Sequence, residues 1–304
     1  GGVAPAYRGL AYVVFERLPL ENYGARVPQF SFEAIRPVSE LSRTLRGVAL
    51  IPGASEFAYA PAQVTAELAR GVSRAENRHQ LQRSSDFAAS LDALTSQAPN
   101  ARSVAFVVSW FGDDLRAGNC TISPRVETVD KDTIEDQWSV AGLDRYSARE
   151  VSRHDGKPAY GGTPSDASVR AAIADMKARG LSVVFYPFVM MDVPGDNALP
   201  DPYGAARQAA YPWRGRVTCD PAPGRPGSAD ATGAAAAQVA AFFGSPQPGV
   251  AEWSYRRLVL HYAALCAEVG VDAFVIGSEL IGLTRVRAAP GVYPAVAALT
   301  QLAQ

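Results

Sequence analysis

Three uninterrupted apolar runs limit what this chain can fold into: residues 103–110 (SVAFVVSW), 181–189 (LSVVFYPFV) and 271–276 (VDAFVI). Each follows a stretch with apolar residues at helical spacing. Phe87, Leu91 and Leu94 recur before the first run. Val169, Ala172, Ile173 and Met176 recur before the second. Leu258, Tyr262, Leu265 and Val269 recur before the third. A strand that is apolar on both faces must be covered on both, and intervening helices supply the cover. The pattern predicts an α/β fold with a parallel sheet. A β/α barrel and a doubly wound sheet both satisfy it. No G-x-G-x-x-G follows a strand and no G-x-x-x-x-G-K-[ST] occurs, which counts against nucleotide-binding versions.

Local chemistry sharpens the boundaries. In Thr163-Pro164-Ser165-Asp166, Thr163 is the expected N-cap, Pro164 fits the first helical position and Asp166 closes a capping box. Gly180 and Gly270 are the expected stops. An alanine-rich helix is expected within 227–243. Upstream, residues 48–51 and 56–59 are strand candidates around a turn at Pro52-Gly53, and 61–69 has a helical pattern. Residues 10–15 (LAYVVF) and 29–35 (QFSFEAI) predict a β-rich segment over 1–45, too small to stand as its own domain.

Residues 46–304 then form the second region. It holds barrel strands within 48–59 and at 103, 181 and 271, and residues 292–303 begin the next helix. A complete eight-stranded barrel takes about 250 residues. Four strands predict an incomplete (β/α)8 TIM-barrel-like domain, with the missing half expected beyond Gln304. A complete, smaller open α/β fold is the alternative. Two insertions, 111–162 and 192–252, exceed ordinary βα loops and leave strand C-terminal ends, where barrels carry functional loops.

Composition removes several function classes. The 304 residues carry 29 Lys plus Arg against 30 Asp plus Glu, a net charge of −1. Such a balance argues against nucleic-acid recognition driven by phosphate neutralisation. Three cysteines and three histidines, with no CxxC or HExxH, predict neither a disulfide framework nor a metal site, and no cofactor is expected. No 18-residue apolar stretch occurs, so no transmembrane segment is expected.

The sharpest candidate is Glu279 in Ile276-Gly277-Ser278-Glu279-Leu280, just past a buried strand. A strand-end glutamate suits the general acid of glycoside hydrolysis, which protonates the glycosidic oxygen. The bland alternative is that Glu279 caps the next turn or pairs with Arg285 or Arg287. Trp110, Asp113 and Asp114 follow the second strand. An indole face beside carboxylates suits a sugar-binding rim, whereas a buried tryptophan and a solvated acidic turn would serve structure alone. Tyr186 and Asp192 mark the end of the third strand. Trp213, with Tyr211, Arg214 and Arg216, forms an aromatic-basic cluster that either stacks on sugar or braces the insertion. A glycosidase needs a second carboxylate, and Asp113, Asp192 or a later strand would have to supply it.

Residues 6–36 (AYRGLAYVVFERLPLENYGARVPQFSFEAIR), Ile51-Pro52-Gly53, residues 110–116 (WFGDDLR) and residues 276–280 (IGSEL) together resemble the glycoside hydrolase/phage-tail family that carries the gene transfer agent TIM-barrel-like domain. The resemblance implies that residues 1–45 belong to a tail-hub or baseplate module and that the rest is the first part of a glycosidase-like barrel. It places Glu279 at the acid/base position after strand four and the nucleophilic glutamate after strand seven. Ser278 stands where the family's asparagine precedes the glutamate, which alters a hydrogen-bond donor to the sugar. The implied setting is the distal tail of a phage-like particle acting at the bacterial cell envelope. The implied partners are other tail subunits in a homo-oligomeric ring, and envelope polysaccharide or peptidoglycan. A catalytically inactive glycan-binding or scaffolding barrel, and a free-standing cell-wall glycosidase, are the competing readings.

Overall fold

The computed structural model describes residues 13–24, 26–30, 32, 34–35, 37, 39–51, 55–245 and 252–304. The chain divides into two compact units, Gly1–Arg36 and Pro37–Gln304. The division falls nine residues before the 45/46 boundary expected from sequence, because the short helix Glu40–Thr44 leads directly into the first strand of the second unit.

In the first unit no strand forms among the described residues. Residues 1–12, 25, 31, 33, 36 and 38 of the expected β-rich segment lie outside them. What holds the described part is a cluster of three rings. Phe15 and Phe30 stack at 4.4 Å between centroids, and Phe32 lies 5.9 Å from Phe30. A 3-10 turn, Glu21–Tyr23, ends at Gly24 in the left-handed region.

In the second unit the apolar runs form the parallel part of a five-stranded sheet, β1 (Gly47–Leu50), β2 (Ser103–Gly112), β3 (Ser182–Met191) and β4 (Ala273–Phe274), with Ile122–Ser123 antiparallel against the end of β2. Spatial order follows chain order, β1-β2-β3-β4. β2 and β3 pair in unbroken register from Ser103↔Ser182 to Gly112↔Met191. Their C-terminal ends are therefore level, and whatever follows Gly112 and Met191 emerges side by side. β4 is shorter than its apolar run, although Asp272 and Val275 still donate backbone bonds to Val183 and Phe185. Sequential parallel order is that of a barrel wall. No strand closes the sheet among the described residues.

Helices α1 (Asp86–Gln97), α2 (Asp166–Ala178), α3 (Gly233–Phe243), α4 (Tyr255–Val269) and α5 (Pro294–Leu302) accompany the strands. α2 starts two residues later than expected. Its N-cap is Ser165, whose Oγ accepts from the Ser168 amide. Thr163 is used elsewhere: its hydroxyl donates to the Ser109 carbonyl and accepts from the Arg125 amide. α4 matches its pattern end to end, capped by Ser254 and closed by Gly270 at φ 68. The helix-facing side of the sheet is the core. Phe106, Trp110 and Phe185 are fully buried there, and Trp110 and Phe185 both pack on Tyr262 of α4. Each such side chain contributes about 1.5–3 kcal/mol on burial. The opposite face of β3, with Val184, Tyr186, Phe188 and Met190, is only half-buried.

Two upstream expectations fail. Residues 61–69 are not helical: Thr65–Ala69 is a strand that turns through Gly71 (φ 76) and pairs antiparallel with Val72–Ala75. Hairpin pairing overrides the weak helical preference of its alanines and glutamate. Residues 56–59 form no strand either. Glu56 is buried in a bidentate pair with Arg145, and the Tyr59 hydroxyl donates to the Val107 carbonyl. The expected turn at Pro52-Gly53 lies outside the described residues.

The cysteines, Cys120, Cys219 and Cys266, are free and buried. Burial pushes the Cys120 and Cys266 thiols up to about 12 and raises Cys219. Thiols held protonated are poor nucleophiles and poor metal ligands. Among the described residues no group of three or more His, Cys, Asp or Glu could hold a metal ion. No described helix is long and apolar enough to cross a membrane.

Candidate functional site

Two polar clusters form where the strands end. The first is built on Glu279. The chain leaves β4, passes Gly277 and reaches Glu279 at φ 52, a left-handed conformation uncommon for a residue with a side chain. Gly277 is needed for packing, since a Cβ there would sit 3.0 Å from both the Tyr255 hydroxyl and Leu299 Cδ2. The Tyr255 hydroxyl donates to the Ile276 carbonyl, fixing the backbone just ahead of the acid.

The insertion 192–252 folds back to meet it. Trp213 Nε1 donates to Glu279 Oε2 at 2.7 Å, and Arg214 Nη2 lies 2.9 Å from the same oxygen. Arg214 is buried, with its guanidinium 3.6 Å over the Phe188 ring, and it donates at 3.2 Å to both the Tyr186 and Ser278 hydroxyls. Those two hydroxyls also bond each other. The return of the insertion is clamped. A Cβ on Gly282 would lie 2.4 Å from the Val217 carbonyl oxygen, and Thr218 Oγ1 donates to the Gly282 carbonyl. The Trp213 ring covers Gly215, where a Cβ would come within 2.5 Å. Among the described residues Glu279 thus pairs with Arg214 and with neither Arg285 nor Arg287. Arg287 is engaged by Asp230 instead.

The second cluster joins the ends of β2 and β3. Asp113, Asp114 and Asp192 line a cavity of about 570 Å³ with Arg125, Arg149 and Leu199 among its other walls. Asp192 is fully buried; its Oδ2 accepts from Arg125 Nη1 at 2.5 Å and from the Ser152 amide. Asp114 is held by Arg116 and by Gln208 Nε2. Asp113 accepts from the Thr121 amide and pairs with Arg149 at 3.0 Å. Burial pushes the Arg125 guanidinium below its ordinary value, and Asp192 opposes that.

The sequence-based candidates therefore separate. Glu279, Ser278, Tyr186 and Trp213 come together. Asp113, Asp114 and Asp192 come together elsewhere, and the cavity they line includes none of the first group. Trp110 joins neither. It is fully buried, stacked near His261 and donating from Nε1 to the Tyr262 hydroxyl at 3.0 Å, so its ring presents no face to a sugar. Eight consecutive apolar-biased residues around it mark a core strand, and the core took the indole. Arg125 was not anticipated at all, because it lies in an insertion without periodicity. Tyr211 braces the insertion against Tyr160 and His154, and Arg216 lies over the Tyr203 ring.

None of the curated proteins matches the chain. Residues 253–304, which run from just before α4 through Glu279 to the end of α5, match the family model of the GTA TIM-barrel-like domain.

Proposed function

We propose that this chain contributes a carbohydrate-facing, barrel-like element to the tail of a gene transfer agent or related phage-like particle, with Glu279 meeting the glycan. The GTA TIM-barrel-like match over 253–304 supports the particle association. The observation that carries the site is an asymmetry in Glu279. Its Oε2 is held by Trp213 and Arg214, whereas no hydrogen bond from a described residue reaches Oε1. A carboxyl fixed through one oxygen presents the other in a constant direction. That oxygen either accepts a sugar hydroxyl or delivers a proton to a glycosidic oxygen. The half-exposed Trp213 ring beside it offers an apolar face to sugar C–H groups, and Tyr186 and Ser278 support the clamp from below. Other tail or baseplate subunits, arranged as a ring, and envelope polysaccharide or peptidoglycan are the partners this reading implies.

A binding-only role has its own support. Hydrolysis needs a second carboxylate about 5–9.5 Å from the first. The other candidate acids, Asp113, Asp114 and Asp192, are each paired with an arginine around a cavity that Glu279 does not line. The test is reducing-end release from purified envelope glycan by the full-length protein and its Glu279→Gln variant. Catalysis by Glu279 predicts a loss of about 10²-fold or more. Equal release by both removes Glu279 from the mechanism. Binding without release selects the binding-only role.

A further inference from the structure

Four arginines are buried among the described residues, and three of them hold a carboxylate. Arg125 holds Asp192, Arg145 holds Glu56 and Arg214 holds Glu279. Arg256, in the first turn of α4, is the exception. It is 8% exposed, and its hydrogen bond runs from Nη2 to a neutral acceptor, Gln301 Oε1, at 3.1 Å. Its Nε is sealed and without a partner. Its Nη1 likewise makes no hydrogen bond to a described residue, but it is not sealed, so it is the nitrogen an outside group can reach.

A buried charge is costly unless it is paired. The head of Arg256 opens onto a cleft of about 490 Å³ between α3 and α5. Val239, Ala240 and Phe243 of α3 line one side, Pro294 and Ala297 of α5 the other. Neither helix contains a charged residue, and no acid lines the cleft among the described residues. Apolar walls with a few convergent polar groups are the usual make-up of a small-molecule site. Here the polar groups select the ligand. The guanidinium calls for an anion. Gln301 also lines the cleft, and because its Oε1 is taken by Arg256, its Nε2 is left as a second donor. Two donors suit the two oxygens of a carboxylate. A phosphate would bring more charge than one arginine balances and no apolar body for the walls. The alanines and the proline leave room for a slender chain.

We propose that this cleft is a binding site for an aliphatic monocarboxylate, its carboxylate on Arg256 and Gln301 and its hydrocarbon chain between α3 and α5. The site shares no residue with the two strand-end clusters, so a failure of the Glu279 reading leaves it untouched.

The experiment is calorimetric titration of the full chain at pH 7 with sodium hexanoate, hexan-1-ol, hexylammonium chloride, sodium acetate and sodium phosphate. Hexanoate is expected to bind saturably, with a Kd of a few millimolar or tighter, and each of the others at least about tenfold more weakly. The alcohol and the amine remove or reverse the charge; acetate and phosphate remove the chain. Arg256→Met keeps an apolar stem without the charge and is expected to weaken hexanoate binding about tenfold or more, with a denaturant midpoint that holds or rises. Ala297→Trp leaves Arg256 and Gln301 in place. Ala297 is exposed on α5, so the indole fills the cleft and is expected to weaken hexanoate binding by a similar factor. No saturable binding of hexanoate up to about 20 mM, equal binding of hexanoate by both variants, or binding of acetate, phosphate, the alcohol or the amine as tight as that of hexanoate would overturn the proposal.

Discussion

Asp192 and Glu279 end neighbouring parallel strands, yet the chain treats them in opposite ways. Asp192 is sealed from solvent against a buried arginine supplied by the insertion 111–162. Glu279 is 49% exposed and is held from one side by the insertion 192–252. In the first case the protein has bound a carboxylate for its own architecture. In the second it has anchored one oxygen and left the acid available. Position at a strand end does not determine a role. The insertion that folds over the strand end does.

That contrast makes predictions of graded size. Asp192→Ala takes from buried Arg125 its close acid partner and should cost about 3–5 kcal/mol in denaturant unfolding, whereas Glu279→Gln keeps an amide oxygen for Trp213 and Arg214 and should cost about 1 kcal/mol or less. Similar losses at both positions would erase the distinction. The two tryptophans provide a parallel test. Trp110→Ala opens the core beneath α4 and should cost about 3–5 kcal/mol, against about 1 kcal/mol for Trp213→Ala, which loses one hydrogen bond at the surface.

How much of this was legible follows from the same contrast. The strands and α4 could be read because their apolar spacing is local and uninterrupted. The strand-end position of Glu279 could be read for the same reason. The partners could not. Arg125 and Asp192 are 67 residues apart, and Trp213 and Glu279 are 66 apart. Arg125 and Trp213 each lie in a stretch of an insertion that has neither helical nor strand period to set a direction. The error at residues 61–69 has a different origin: Ala66, Glu67, Leu68 and Ala69 satisfy helical propensity, but pairing across Gly71 decides. Trp110 was misassigned because an aromatic near a strand end suits a rim and a core equally well until the helix above it is placed.

A smaller effect tests the clamp on Glu279. Gly282→Ala drives a methyl group against the Val217 carbonyl and should destabilise by about 1–3 kcal/mol, measured by denaturant unfolding. An unchanged midpoint would mean that the insertion rests on the strand end without being tied to it. The smallest effect is electrostatic and lies away from both clusters. Hydrogen bonds from Arg179 and then Arg83, outweighing burial, hold the Asp92 carboxyl below its ordinary value and tie α1 to the end of α2. The unfolded chain binds this proton more readily than the folded one. The contribution is therefore full above the ordinary carboxylate range, and it is lost as pH falls through the lowered value. The stability gap between the unaltered chain and Asp92→Asn should be at most about 1 kcal/mol near neutrality and should close towards about pH 2. A gap that widens on acidification would reverse the assignment.

The three sealed thiols give this molecule a built-in clock. Cys120 sits beyond β2, Cys219 in the later insertion and Cys266 on α4. An alkylating reagent can reach each sulfur only when its own neighbourhood opens, so peptide-resolved labelling times would rank the local opening of three regions in one experiment. If the loop wrapped over Glu279 breathes independently of the wall beneath it, Cys219 will react first and Cys266 last.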